Sequence, residues 1–171
     1  LVITILYIYI KYNKLMYLKY LIVLLVIIVF LLIFNMRQRH KIVVFDLDET
    51  LGHFSQLGLF WDGLESYLNI KLDNDDMVTL LDLYPEFIRP NIFAILNYLK
   101  RQKKCNKCSD IMIYTNNQGP KTWANSIKYY FEKKLDYHLF DKVIGAFKIG
   151  NERIEPGRTT HDKTVSDFFN C

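Results

Sequence analysis

The apolar run Ile42-Val43-Val44-Phe45 breaks off into Asp46-Leu47-Asp48-Glu49-Thr50, and this join constrains the fold more than any other stretch of the chain. An apolar run of this kind reads as a buried strand, and in an extended chain residues i and i+2 face the same side. Asp46 and Asp48 can therefore converge on one substrate atom while Leu47 anchors the strand end in the core. Two carboxylates and the Thr50 hydroxyl at a strand end outline a phosphoryl-transfer site. A phosphate ester asks for a nucleophile that splits hydrolysis into two steps and an acid/base that serves both. Asp46 suits the first role, Asp48 the second, and Thr50 orients the turn. An Asp-rich turn after a strand also serves as a solvated loop or a helix N-cap.

The remainder of the chain alternates. The pattern predicts strands over Ile42–Leu47, Ile111–Tyr114 and Lys142–Ala146, and helices over Pro90–Lys103 and Lys121–Lys134, the latter with Trp123, Ile127, Tyr130 and Phe131 inward. Such β-α-β-α order argues an α/β fold with a parallel, doubly wound sheet and ligand chemistry at the carboxyl ends of its strands. Phe147–Ile149 and Arg153–Glu155 flank Gly150-Asn151-Glu152 as a small hairpin before a helix bearing Lys163. Residues 51–88 form an insert with no regular pattern.

The octapeptide Asp46 to His53, DLDETLGH, resembles the first motif of the haloacid dehalogenase superfamily, most closely its small CTD phosphatase (NLI-interacting factor-like) branch. Further motifs follow in that family's order. Arg89-Pro90 opens a helix, as in family members, and Ile111 to Asn116 end in Thr115, which matches the phosphate-binding Ser/Thr. Lys163 in HDKTVSDFF is similar to the family's Lys helix start, with Thr164 standing where the family has Asp. The segment YTNNQGPKTW is similar to members encoded by large DNA viruses. The resemblance covers residues 42–165 apart from the insert. It implies a three-layer Rossmann-like sheet and a Mg²⁺-dependent phosphatase with an aspartyl-phosphate intermediate, acting on phosphoserine or phosphothreonine in proteins.

Physical reasons accompany each residue. A phosphoryl group in flight spreads negative charge over its oxygens, so fixed donors and cations are wanted: Thr115, the backbone N–H of Asn116, and Lys163. Mg²⁺ prefers oxygen ligands, here Asp46 and the Asp48 carbonyl, and relieves the repulsion between carboxylates and phosphate. The family's third metal-site acid sits on a further strand ending in Asp-Asp or Asp-Asn. No such motif follows Lys163, and Asp167 falls in a predicted helix. The sequence is therefore expected to lack the last core strand, making 36–171 a phosphatase domain incomplete at its C-terminus.

Two rival functions stand: a nucleic-acid end phosphatase of the same superfamily, which would use the same residues on a polynucleotide, and a membrane-tethered binding module similar to the mitochondrial translocase subunit that keeps this fold without an intact first motif. The chain carries a formal charge of +4, but residues 36–171 hold 19 Lys and Arg against 18 Asp and Glu. A near-neutral domain gives no strong nucleic-acid signal, and intact Asp46, Asp48 and Thr50 argue against a degenerate site. Cys105, Cys108 and Cys171 are too few for a disulfide framework and fit an intracellular, reducing compartment.

Residues 1–35 form a hydrophobic leader, apolar without interruption from Tyr20 to Phe34 and extendable to Leu15 if Lys19 snorkels. Two readings stand. Residues 15–35 can anchor the chain in a membrane, with basic residues on both flanks and hence no orientation, or the leader is artefactual upstream translation with Met36 as the start, leaving a soluble protein. Among other features, Cys105 to Cys108 reads as a loop and not a zinc site, Lys100–Lys104 as cations at a helix C-terminus, and Asp73–Asp76 as a solvated turn. His53 can border the pocket and Arg158 can meet substrate phosphate, but a lone residue of either kind more often has a structural role.

Overall fold

A computed structural model of the protein describes residues 2–36, 41–119 and 122–168. Residues 1–39 and 40–171 are two compact units. The first is the helix α1, Val2–Met36, whose described side chains from Met16 to Leu32 are all exposed. Among the described residues no helix is long and apolar enough to cross a membrane.

In the second unit β1 (Ile42–Phe45), β2 (Asp110–Tyr114) and β3 (Lys142–Ile144) form a parallel sheet in the order β1-β2-β3. The register runs from Ile42 opposite Asp110 to Phe45 opposite Ile113, and from Met112 opposite Lys142 to Tyr114 opposite Ile144. Both crossovers are helical: α4, Ile92–Lys104, leads into β2, and α5, Trp123–Leu135, leads into β3. The first and third strands are each two residues shorter at their C-terminal ends than the apolar pattern predicts, because the chain turns away after Phe45 and Ile144, whereas β2 ends at Tyr114 as predicted. Side chains alternate across the sheet. Ile111 and Ile113 join one large core with Val43, Phe45 and the helices, while Met112, Tyr114 and Ile144 form a smaller cluster with Val44 and Phe168. The expected three-layer arrangement thus appears within residues 40–171 as one helical layer on one face. The described residues close the other face with Phe168, from a 3₁₀ turn at Val165–Phe168.

The core centres on Phe131, which meets Phe54, Phe93, Tyr130 and Phe140 with ring centroids 5.4 to 6.4 Å apart, mostly edge to face. Trp123, Ile127 and Tyr130 point inward with it, as the helical spacing predicts. Arg101, Lys103 and Lys104 occupy the last turn of α4, where cations complement the helix dipole. Lys103 also donates to the Leu139 carbonyl at 2.9 Å and to the Asp141 carboxylate at 2.6 Å, tying α4 to the entrance of β3.

The insert is regular after all. It holds α2 (Phe54–Leu68), α3 (Asn74–Leu83) and a 3₁₀ turn at Pro85–Phe87. Two glycines and apolar residues on both faces of α2 obscure its period in the sequence, yet Phe54 and Leu57 are buried and Trp61 and Leu64 pack against the same core. Burial, not propensity, holds it. Residues Asp73–Asp76 are exposed, as expected of a solvated segment, but they form a capping box at the start of α3 and not a turn. The Asp73 carboxylate accepts from the N–H groups of Asp75 and Asp76 at 2.8 and 3.0 Å, and the Asp76 carboxylate accepts from the Asp73 N–H at 2.8 Å. The expected hairpin is present in shortened form, β4 (Lys148–Ile149) against β5 (Glu152–Arg153), around Gly150 at φ 58°. Lys163, placed by the sequence at a helix start, lies in irregular backbone before the 3₁₀ turn. Replacing Asp73 by Ala should destabilise the 40–171 unit by about 1 kcal/mol in urea unfolding. A loss of only a few tenths would show that α3 does not depend on this cap.

Candidate active site

Leu47 is fully buried beneath the end of β1, and the turn that follows is fastened to the insert. The Leu51 N–H donates to the Leu47 carbonyl at 3.0 Å, and the Glu49 N–H to the Gly52 carbonyl at 2.8 Å. Glu49 takes a left-handed φ of 58°, unusual for a residue with a side chain. Its carbonyl accepts from the Arg89 guanidinium, while the Arg89 N–H donates to the Leu51 carbonyl at 3.1 Å. Gly52 is required for contact: a Cβ there would lie 2.3 Å from the Phe87 carbonyl oxygen. The His53 N–H donates to that same oxygen at 2.8 Å, and the His53 ring meets the Glu49 carboxylate at 2.9 Å at the surface.

This turn delivers both aspartates. One oxygen of Asp46, Oδ1, accepts the Leu47 N–H at 2.8 Å and lies 2.7 Å from Lys163 Nζ, with both side chains partly exposed. Asp48 Oδ1 accepts from the Ser55 hydroxyl at 3.2 Å and Oδ2 from the Asn117 side-chain amide at 2.8 Å. Thr50 is half-buried in the turn, and the described hydrogen bonds include none from its hydroxyl. Orientation of Asp48 therefore falls to Ser55 and Asn117, two residues that sequence reasoning missed. Ser55 sits in the insert with no motif around it, whereas Asn117, two places after Thr115, stood beside a recognised motif.

The second strand end contributes Thr115, which is buried, with its Oγ1 accepting the Asn117 N–H at 2.9 Å. Asn116 faces the 158–161 segment: its amide donates to the His161 carbonyl at 3.1 Å and its oxygen accepts from Arg158 at 2.7 Å. Arg158 is not a substrate contact. It is fully buried, donates to the carbonyls of Thr115, Gly145 and His161, and lays its guanidinium 4.7 Å from the Tyr114 ring centre. Its Nε has no hydrogen-bond partner among the described residues. It is the internal bracket of the β2 and β3 ends. Lys163 Nζ lies 5.4 Å from the same Tyr114 ring, so that ring adjoins both cations.

Tyr114 is in turn tied to the last described turn of the chain. Its hydroxyl donates to the Asp167 carboxylate, which also accepts the Thr164 N–H at 3.1 Å. Asp167, which sequence reasoning set in a helix, is a buried brace in a 3₁₀ turn. Burial, aided by the bond to Asp167, pushes the Tyr114 phenol up to about 12. The Tyr114 hydrogen bond holds the Asp167 carboxyl below its usual range. Among the described residues no group of three or more His, Cys, Asp or Glu side chains is placed to share a metal ion.

The depressed Asp167 carboxyl gives stability that is present above its unfolded value, about 3.9, and is lost as pH falls through the folded value. Tyr114→Phe and Asp167→Asn should therefore be less stable than the parent at about pH 7, with the gap closing as pH falls below about 3.9 in urea unfolding. A gap independent of pH would show that the carboxylate form of Asp167 is not what Tyr114 holds.

No protein-family model, curated protein or solved structure matches the chain, so its functional reading rests on this geometry and on the motifs.

Proposed function

We propose that residues 40–171 act as a Mg²⁺-dependent phosphatase working through an aspartyl-phosphate on phosphoserine or phosphothreonine in proteins. The observation that carries this reading is the Lys163 ammonium 2.7 Å from Asp46 at the carboxyl end of β1, beside an Asp48 whose two oxygens are both held. A nucleophile, a positioned acid/base and a cation for phosphate oxygens are the parts this chemistry needs. The unpaired thiols of Cys105 and Cys108 suit a reducing compartment.

In the first step an Asp46 carboxylate oxygen bonds to phosphorus as the bond to the leaving oxygen breaks, and the Asp48 carboxylic acid passes its proton to that oxygen. Asp48 is then a carboxylate. In the second step it takes a proton from water, whose oxygen bonds to phosphorus as the bond to Asp46 breaks, releasing inorganic phosphate and restoring the Asp46 carboxylate. Ser55 and Asn117 fix the direction in which Asp48 gives and takes its proton, and Lys163 faces the charge that collects on the phosphoryl oxygens.

The donor set fits Mg²⁺, which takes oxygen ligands and is commonly held by one or two carboxylates with waters. Asp46 Oδ2 and the Asp48 main-chain carbonyl carry no described hydrogen bond and would hold it. When bound, the ion supplies positive charge that offsets the repulsion between carboxylates and a dianionic phosphate.

Asp46→Asn should abolish turnover of a phosphoserine peptide while leaving urea stability within about 1 kcal/mol, since the lost ion pair is partly exposed. Residual turnover near the parent's would remove Asp46 as the nucleophile. Asp48→Asn should lower kcat by about 10²- to 10⁴-fold and flatten the pH–rate profile. An unaltered profile would assign the proton transfers to another group.

A further inference from the structure

A cleft of about 270 Å³ opens between α2 and the residues 117–119 and 123, lined among others by Ser55, Gly58, Trp61, Asp62, Asn117 and Trp123. Ser55 and Asn117 are the residues that hold the two oxygens of Asp48, so the cleft begins one hydrogen bond from the proposed proton donor. Neither Asp46 nor Lys163 lines it. A general acid must reach the oxygen that departs, so the substrate atoms beyond that oxygen extend on the Asp48 side. We infer that this cleft is the leaving-group subsite, and that it takes a large apolar side chain, aromatic by preference, beside the phosphorylated residue of a peptide. The inference rests on the phosphatase reading and narrows its substrate.

The chemistry of the walls decides the occupant. Trp61 and Trp123 meet edge to face at 5.9 Å, and Leu59 adds further apolar surface. Aromatic walls favour another ring in an edge or offset arrangement. The volume lies just under the roughly 300 Å³ at which sites for drug-sized ligands begin, which suits one side chain. Ser55, Asn117 and Gln118 offer polar groups to the peptide main chain at its mouth. Among the described residues the charged lining residue is Asp62, and the proposed acid beside the cleft is Asp48, so the described leaving-group side presents carboxylates and no cation. A polynucleotide continuing past its terminal phosphate would bring further phosphates against those carboxylates. The cleft therefore favours a phosphopeptide over a nucleic-acid end.

Gly58 makes the cleft testable. A Cβ added there meets only Trp123 Cζ2, at 3.8 Å, which is ordinary contact, so larger side chains grow into the cleft. Gly63, on the same helix with open space around it, is the control. The full chain has two tryptophans, Trp61 and Trp123, and both line the cleft, so intrinsic fluorescence reports its occupancy.

The experiment compares phosphoserine peptides carrying Phe or Ala next to the phosphoresidue, with a 3′-phosphorylated oligonucleotide in parallel. The unphosphorylated Phe peptide is titrated against tryptophan fluorescence. The full chain and Gly63→Leu should prefer the Phe peptide by about ten-fold in kcat/KM, roughly the discrimination a hydrophobic pocket gives. Both should show a saturable fluorescence change. Gly58→Leu should bring the Phe/Ala ratio to about unity and remove the fluorescence change. Turnover without preference or fluorescence response, a ratio unmoved in Gly58→Leu, or better turnover of the oligonucleotide overturns the cleft assignment. A fluorescence response lost in Gly58→Leu, in a protein that hydrolyses none of these substrates, overturns the phosphatase reading and leaves the cleft as a peptide site.

Discussion

Parallel pairing of β1 with β2 ends the two strands level, and the rest of the candidate site depends on it. With Phe45 opposite Ile113, the next residues of the two strands, Asp46 and the Tyr114–Thr115 pair, emerge side by side at one edge of the sheet. A slip of one residue would send Asp46 to the other face of the sheet and Ile111 out of the core. The opposite end of the ladder fixes the register. The Ser109 N–H donates to the Lys41 carbonyl at 2.9 Å, and the Asp141 carboxylate takes the Ile111 N–H at 2.8 Å while pairing with Lys103. One carboxylate thus links α4, the start of β2 and the entrance to β3.

From that level edge the turn after Asp46 is shaped by the insert. Gly52 approaches the Phe87 carbonyl too closely for any side chain, and Arg89 reaches back to the carbonyl of Glu49, the residue held at positive φ between the second aspartate and Thr50. Backbone strain of this kind persists only where the surroundings over-determine it. The insert therefore does more than cover the core. It supplies the Phe87 carbonyl that sets the turn, the Ser55 hydroxyl that aims Asp48, and the α2 wall of the cleft.

Electrostatic organisation centres on one aromatic ring. Tyr114 sits beside the Arg158 guanidinium and the Lys163 ammonium, and its hydroxyl is held by Asp167. Arg158, wholly buried, spends its donors on main-chain carbonyls and on Asn116, so its charge stiffens the ends of β2 and β3. Lys163 remains partly exposed and turns to Asp46. Two cations near one ring thus divide into a structural one and one available to the proposed phosphoryl group. Burial separates them.

The sequence determined by itself the order of the three parallel strands and their two crossover helices, the inward face of α5, the strand-end position of Asp46, Asp48 and Thr115, and the short hairpin. Each of these follows from local periodicity and from where an apolar run stops, which are properties of a few consecutive residues. Tertiary structure alone decided that the insert is helical, that Arg158 is buried, that Asp167 braces Tyr114, and that Ser55 and Asn117 hold Asp48. Those pairings span up to 69 residues, as between Asn117 and Asp48. No local pattern encodes them, because a hydrogen bond between distant residues is chosen by packing, and packing is settled only when the sheet and its helices close around a common core.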